Sequence, residues 1–351
     1  MKGDFVFAVP GDLDTPTGGY AYDKRMIAEL RELGWRPELL NLGEGFPYPS
    51  ALIRASARAH LADVPKGRPI VVDGLAFGVM PDEAEALSET HPLIALIHHP
   101  LALETGVTEE EAVALRDSEH RALSFTRAVV VNSPVTAQTL AADYGVPRER
   151  ITVAPPGTDR AKAVRPKSAS TLVSLLAVGS VVPRKGYDLL IEALAGLIDL
   201  PWQLTIVGDC GRDHATAARL RSDIERHRLA SRVTIAGAVG PERLSELYAA
   251  SDLFVLPSRY EGFGMAFAEA IAHGLPVIGT TAGAIPDTVP ASAGVLIPPN
   301  DSAALSAAMR RLIENGDERA QFAAGAGAAA ENLPTWQDSA KLFSQAIERV
   351  V

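Results

Sequence analysis

Residues 258–276 read SRYEGFGMAFAEAIAHGLP. Two glutamates, Glu261 and Glu269, bracket the turn Gly262-Phe263-Gly264-Met265 and the opening of an apolar helix. Turn chemistry places Glu261 in a loop, and helical periodicity places Glu269 on the helix's second turn. The helix start between them is entered through glycine. Its open N–H groups and the positive end of the helix dipole suit an anion. One short segment therefore offers a carboxylate, a phosphate cradle and a second carboxylate. A nucleotide-sugar presents matching groups in the same order: sugar hydroxyls, pyrophosphate, ribose hydroxyls. The competing reading is a buried helix with two satisfied carboxylates.

Outward from this stretch, short β-branched runs alternate with longer helical patterns. FVFAVP (5–10), PELLNL (37–42), PIVVDGL (69–75), PLIALIH (92–98) and AVVVNS (128–133) read as strands of a first half. TLVSLLAVG (171–179), WQLTIVGD (202–209), VTIAGAV (233–239), LFVLPS (253–258), VIGT (277–280) and GVLI (294–297) read as strands of a second. Helical patterns fall at about 22–33, 109–125, 134–144 and 336–351. This alternation predicts an α/β fold of two doubly wound parallel sheets, each covered by helices on both faces. The polar, proline-rich stretch 155–170 is the linker expected between them. Expected domains are 1–165, 166–334 and a terminal helix 335–351 packing back on the first. Ligands of such sheets bind beyond the carboxyl ends of the strands. AAGAGAAA (323–330) reads as a helix surface near a bend.

Composition narrows the function classes. With 47% hydrophobic and 22% charged residues, 351 residues suffice for two cored domains. A net charge of -10 and only 6% aromatics argue against a nucleic-acid partner or a broad polybasic membrane face. The single cysteine, Cys210, rules out an intrachain disulfide framework and fits a reducing compartment. The apolar run after Lys2 is too short for a signal peptide, and no run approaches the roughly 20 apolar residues of a membrane span. The expectation is a cytoplasmic protein without stable membrane insertion.

Other residues carry chemistry by position. Gly18 and Gly19 follow the first strand, where glycine lets backbone approach a phosphate or sugar closely. Arg184 and Lys185 precede a helix starting near Tyr187, and cations there suit a leaving diphosphate. His98 ends the strand PLIALIH, with His99 as the alternative, and an imidazole at such a strand end suits catalysis or sugar binding. Asp73 ends the neighbouring strand and could hold an acceptor hydroxyl. No metal site is expected. Asp12-Leu13-Asp14 lies in the wrong sheet context for a metal-binding D-x-D, and His98, His99 and His120 lack zinc spacing. Ser133 and His120 lack a nucleophile-elbow context.

The segment around Glu261 and Glu269, with the His273-Gly274-Leu275-Pro276-Val277-Ile278 run after it, resembles the signature of the family-four retaining glycosyltransferases of the GT-B fold. The resemblance implies that the two domains face a central cleft. It implies that the first domain binds the acceptor and the second the donor. It gives Glu261 to the donor-sugar hydroxyls and Glu269 to the ribose. Gly18 and Gly19 would meet the donor phosphate or the acceptor, and Arg184 and Lys185 the diphosphate. Gly208 would lie near the phosphates, Ala238 near the base, and His98 near the reacting sugar. PPGTD (155–159) resembles the family's hinge segment. Ser180 stands where many members carry an arginine, so Arg184 would supply the guanidinium.

The implied activity is transfer of a sugar from a nucleotide-sugar, of the UDP-sugar or GDP-mannose type, to a hydroxylated acceptor as an α-glycoside. The implied chemistry is front-face substitution without cofactor or metal. The acceptor, whether small metabolite, sugar or lipid, would be read by loops at 43–56 and 100–108. A nucleotide-sugar 2-epimerase of the same fold and a non-catalytic sugar-nucleotide-binding protein are the alternative readings. Products discriminate the first, and donor hydrolysis without acceptor the second.

Overall fold

The computed structural model describes residues 2–160 and 172–351. The elements in chain order are β1 (Asp4–Val9), α1 (Gly18–Glu32), β2 (Arg36–Asn41), α2 (Ala51–Ala62), β3 (Ile70–Asp73), α3 (Gly74–Phe77), α4 (Pro81–Ser88), β4 (Leu93–Ile97), α5 (Glu109–Ser124), β5 (Ala128–Val131), α6 (Pro134–Asp143) and β6 (Ile151–Val153). They continue as β7 (Val173–Val178), α7 (Tyr187–Ala195), β8 (Trp202–Val207), α8 (His214–Arg226), β9 (Val233–Gly237), α9 (Pro241–Ala250), β10 (Leu253–Val255), α10 (Met265–Ala272), β11 (Val277–Thr280), α11 (Ile285–Thr288), β12 (Gly294–Ile297), α12 (Ser302–Glu314), α13 (Gly316–Ala330) and α14 (Trp336–Glu348).

The chain divides into two units, one of Met1–Gly157 with Pro334–Val351 and one of Thr158–Leu333. One division falls inside the PPGTD stretch. The sequence-based boundary at 165/166, and most of the linker, lie outside the described residues. No helix among the described residues is long and apolar enough to cross a membrane.

In the first unit the strand order is β2-β1-β3-β4-β5-β6, parallel throughout. Strands β3, β4 and β5 are buried along their whole length, as continuous apolar runs covered on both faces should be. Helix α14 belongs to this unit. Phe343 stacks on Phe7 at 6.3 Å, and Gly157 runs so close beneath α14 that a Cβ there would lie 2.1 Å from the Trp336 nitrogen.

In the second unit the order is β12-β11-β10-β7-β8-β9, again parallel. Chain order reverses between β7 and β10, the switch point at which the following loops diverge and leave a crevice. Phe267 of α10 is fully buried and meets Phe254 of β10 edge-on at 5.3 Å. Burying such a ring contributes about 2 kcal/mol, so the helix that carries Glu269 is fixed to the sheet.

Four sequence-based expectations need correction. The first helix begins before the pattern at 22–33, at Gly18 and Gly19. They open α1, with the Thr17 side chain capping the Tyr20 amide, so the helix starts four residues before Tyr22. The expected acceptor loop 43–56 is loop only as far as Ser50, whose hydroxyl caps α2 from Ala51. Residues 323–330 are only partly a surface, with Ala324, Gly327 and Ala328 exposed. Ala326 of α13 is fully buried, and a Cβ at Gly325 would lie 1.9 Å from the Ser292 carbonyl, so the small residues let α13 pack against backbone. Finally, β6 is a strand without a sequence signal, because its three residues give too little alternation to detect.

Candidate active site

In the second unit the loops after β7 and β10 lie side by side because those strands are neighbours. They meet at Glu261. Its Oε1 accepts from Lys185 Nζ at 2.6 Å and from Ser258 Oγ at 2.7 Å, and its Oε2 accepts from Arg184 Nη1 at 3.0 Å. Arg184 Nη1 also donates to the Tyr260 carbonyl at 2.8 Å. Glu261 is 5% exposed. Burial alone would raise its pKa, but Lys185, Arg184 and the Ser258 hydroxyl outweigh that and hold it down to about 2. The carboxylate is therefore ionised at neutral pH. Two cations on one carboxylate leave a surplus positive charge beside the loop.

The backbone around this cluster permits no side chain. Gly186, the residue before α7, has φ 69°, and a Cβ there would lie 2.2 Å from the Pro257 carbonyl. Gly283, with φ 56°, brings the loop after β11 onto Glu261. The Ala284 amide donates to the Glu261 carbonyl at 2.9 Å, and a Cβ on Gly283 would lie 2.2 Å from that oxygen. Gly264 has φ 89° and stands before the first residue of α10. Both left-handed positions next to a helix start are thus occupied by the one residue that adopts them at no steric cost. Gly262 is buried, Phe263 and Met265 are half-buried, and the Thr288 hydroxyl donates to the Phe263 carbonyl at 2.7 Å.

Glu269 sits one turn into α10, half-buried, its Oε2 accepting from the Tyr248 hydroxyl at 2.8 Å. Loss of hydration raises its pKa, the Tyr248 hydrogen bond opposes this and Asp159 adds to it, with the result near 6. The two glutamates are thus in opposite electrostatic settings: Glu261 is clamped by cations, Glu269 by a neutral phenol. Gly208 follows β8 against Gly179, where a Cβ would lie 1.9 Å from the Gly179 carbonyl. Ala238 is exposed just beyond β9. All of these positions lie at the carboxyl edge of one parallel sheet.

In the first unit β1, β3 and β4 are adjacent, and the residues at or beyond their carboxyl ends converge. His98 Nε2 lies 3.1 Å from Asp23 Oδ1 and 3.5 Å from Asp73 Oδ2. Gly19 packs on the imidazole, with a Cβ there 3.3 Å from its Cδ2, and Tyr22 meets the ring edge-on at 5.4 Å. Asp73 is committed inside the protein: its Oδ1 caps α3 through the Leu75 amide at 2.7 Å, and its Oδ2 faces His98. Both of its oxygens are thus engaged within the first unit. His99 points elsewhere, its Nε2 3.2 Å from Glu104 Oε2.

Asp23 is a site residue that the sequence reading misses. It lies on the buried face of α1, fully covered, and an acidic residue at an apolar helical position is the signal that could have found it. Asp23, Asp73 and His98 offer ligand atoms all within 4.8 Å of one another, a grouping that could hold a metal ion. Positions 23, 73 and 98 are too far apart in sequence to show as a spacing motif.

A family profile described as Glycosyl transferases group 1 matches residues 160–328, and one described as Glycosyltransferase Family 4 matches residues 46–162. The chain is 27% identical over 332 residues to MMP alpha-(1->4)-mannosyltransferase of Mycolicibacterium hassiacum, covering 87% of this chain and 77% of that protein. It is 31% identical over 202 residues to the GDP-mannose-dependent monoacylated alpha-(1-6)-phosphatidylinositol monomannoside mannosyltransferase of Corynebacterium glutamicum, covering 55% and 51%. Across such relatives the match spans 38% to 77% of the relative's own length. Among solved structures, sucrose-phosphate synthase from Thermosynechococcus elongatus superimposes with a TM-score of 0.81 at 21% identity over 98% of each chain, which shows the fold. The fold is GT-B, and the protein is a glycosyltransferase. Between them the two profiles span residues 46–328, so the chain is similar to glycosyltransferases of group 1 and of Family 4 along most of its length.

Proposed function

We propose that this enzyme is a retaining, metal-independent hexosyltransferase that moves mannose from GDP-mannose, in preference to a UDP-sugar, to a hydroxylated acceptor as an α-glycoside. The observation that carries the reading is the convergence of Lys185, Arg184 and Ser258 on Glu261 at the switch point of the second sheet. The preference for mannose rests on the names of two relatives, one of them GDP-mannose-dependent. The single cysteine favours a cytoplasmic setting.

In this reading the ionised Glu261 accepts from hydroxyls of the donor sugar, and Glu269 accepts from the ribose. Lys185, Arg184 and the N-terminus of α10 face the diphosphate. As the bond between anomeric carbon and phosphate oxygen breaks, charge builds on that oxygen. Fixed donors aimed at it lower the barrier because they need no reorganisation. The acceptor oxygen bonds to the anomeric carbon on the same face, and its proton passes to the departing phosphate oxygen. No protein nucleophile is required. The two basic side chains take the place of a divalent cation.

A thermal-shift screen of nucleotide-sugars should give its largest stabilisation with GDP-mannose, since a ligand of the native state stabilises by mass action. The product should carry an α-anomeric proton by NMR, and turnover should survive excess EDTA. A β-linked product overturns the retaining reading. Loss of turnover with EDTA, restored by Mg2+ or Mn2+, overturns the metal-independent one.

Glu269 adds a pH dependence. Its carboxylate must be ionised to accept two ribose hydroxyls, and its folded pKa is raised to about 6. Nucleoside diphosphate affinity should therefore rise about tenfold between pH 5 and pH 7, following the ionised fraction. The phosphate titrates in the same range, so the readout is the ratio of wild type to Glu269→Gln. A constant ratio across that range removes Glu269 from the ribose.

A further inference from the structure

Helices α9 and α10 are joined by three side chains that form a closed ring. The Tyr248 hydroxyl donates to Glu269 Oε2 at 2.8 Å. The Tyr248 ring stacks on the His273 ring, with centroids 5.0 Å apart and planes 21° from parallel. His273 Nδ1 returns to the Glu269 carbonyl at 2.8 Å, and the His273 backbone amide donates to the same oxygen at 3.1 Å. A carbonyl only accepts, so Nδ1 carries the proton, and in the neutral ring Nε2 accepts from the Ser245 hydroxyl at 3.2 Å. Tyr248 is buried, and burial with the adjacent Glu269 holds its phenol well above the ordinary value. The phenol therefore stays a donor. Having no charge, it fixes the carboxylate without neutralising it. It takes one of the roughly four acceptor positions of a carboxylate and leaves others for the hydroxyls of a ribose.

We propose that Tyr248 is a positioning residue of the donor site. Its hydroxyl aims the Glu269 carboxylate at the ribose, and His273, stacked on the phenol and tied to Ser245 and the Glu269 carbonyl, keeps it there. This deepens the reading of Glu269 as the ribose acceptor and rests on it. An unrestrained glutamate must settle several torsions when a ligand arrives, and ordering such a side chain costs affinity. A carboxylate held by a neighbour whose own rotamer is locked by packing is ordered beforehand. A merely structural tyrosine would fill the space between the helices with its ring, and its hydroxyl would be indifferent to the ligand.

The titratable groups facing Glu269 are Tyr248 from α9 and Asp159, with His273 meeting its carbonyl from the end of α10. Burial raises the Glu269 pKa, the phenol opposes this and Asp159 adds to it. Removing the phenol therefore keeps the carboxyl protonated to a higher pH. Affinity that needs the ionised form is lost as pH falls through the folded pKa. In Tyr248→Phe that loss should begin at a higher pH than in the wild type.

The test is calorimetric titration of the full-length protein with GDP and with UDP between pH 6.5 and pH 8.5, the tighter of the two being followed. Tyr248→Phe should bind about tenfold more weakly than the wild type at pH 6.5 and about threefold more weakly at pH 8.5, where its carboxylate has ionised. Titration of the phosphate cancels in that ratio. Added to Glu269→Gln, Tyr248→Phe should cost less than about twofold, because a positioning residue acts only through its partner. Unchanged affinity in folded Tyr248→Phe overturns the proposal. So does a deficit that is equal at both pH values or persists in the Glu269→Gln background, as loss of packing alone predicts. His273→Ala should weaken binding about threefold, and His273→Phe, which keeps the stacked face, should recover most of it. This pair carries the test where Tyr248→Phe does not fold, and equal affinity in both variants and the wild type then overturns the proposal. If Glu269→Gln alone leaves the affinity intact, the ribose reading fails and takes the proposal with it. A full Glu269→Gln loss beside an unaffected Tyr248→Phe sinks only the role of Tyr248.

Discussion

Replacing Lys185 with alanine should lower kcat/KM by about a hundred- to a thousandfold, the range for removing one preorganised donor from a developing negative charge. Two losses act together. On the proposed reading the departing diphosphate loses an ammonium, and Glu261 loses the partner at 2.6 Å that does most to hold it ionised. Arginine should restore little. The Lys185 stem crosses directly over Gly179, where even a Cβ would lie 3.0 Å from the lysine Cε, so the channel fits a slim chain with a point charge. Arg184 stays in place and sets the floor of the residual activity through its bonds to Glu261 and the Tyr260 carbonyl. The measurement is kcat/KM with a saturating acceptor, beside a thermal melt to confirm the fold. A fall of less than tenfold in a folded variant would remove Lys185 from the leaving-group site.

The parts of this site that are legible in the sequence are those built within one loop. Glu261, the Gly264 turn and Glu269 follow one another along the chain, so turn chemistry and helical period suffice to order them. Arg184 and Lys185 are legible for the same reason. What a linear reading does not carry is the juxtaposition across strands. Glu261 meets Arg184 and Lys185 only because β10 lies beside β7 in the sheet. The aspartate partners of His98 come together only because β1, β3 and β4 are neighbours. In sequence Asp73 is a free carboxylate at a strand end, and the fold engages both its oxygens. The helix start at Gly18 is hidden because glycine usually signals a loop, whereas Thr17 supplies the cap that lets two glycines open α1. The alanine-glycine run of α13 resembles surface because small residues give no hydrophobic pattern. Their role is close approach, which shows only once the neighbouring backbone is in place.

Glu261 and Glu269 should separate cleanly when each is changed to glutamine and each variant is titrated with nucleoside diphosphate and with nucleotide-sugar. Each lost charged hydrogen bond costs roughly 1.5–3 kcal/mol, or about ten- to a hundredfold in affinity. Glu269→Gln should weaken both ligands by that factor, because the ribose is common to both. Glu261→Gln should leave the nucleoside diphosphate nearly untouched, since that ligand has no sugar to offer the carboxylate. The ion-pair geometry makes this sharper. Glu261 neutralises part of the charge on Lys185 and Arg184, and glutamine would not, so the diphosphate would meet a more positive loop. Its affinity should therefore hold or rise slightly while turnover falls and discrimination between epimeric sugars weakens. Thermal melts must accompany both variants, because Glu261 is buried and its amide would leave two cations under-compensated. If folded Glu261→Gln loses nucleoside diphosphate affinity as severely as Glu269→Gln, the donor lies in the opposite orientation, with its sugar toward Tyr248 and its ribose toward Lys185.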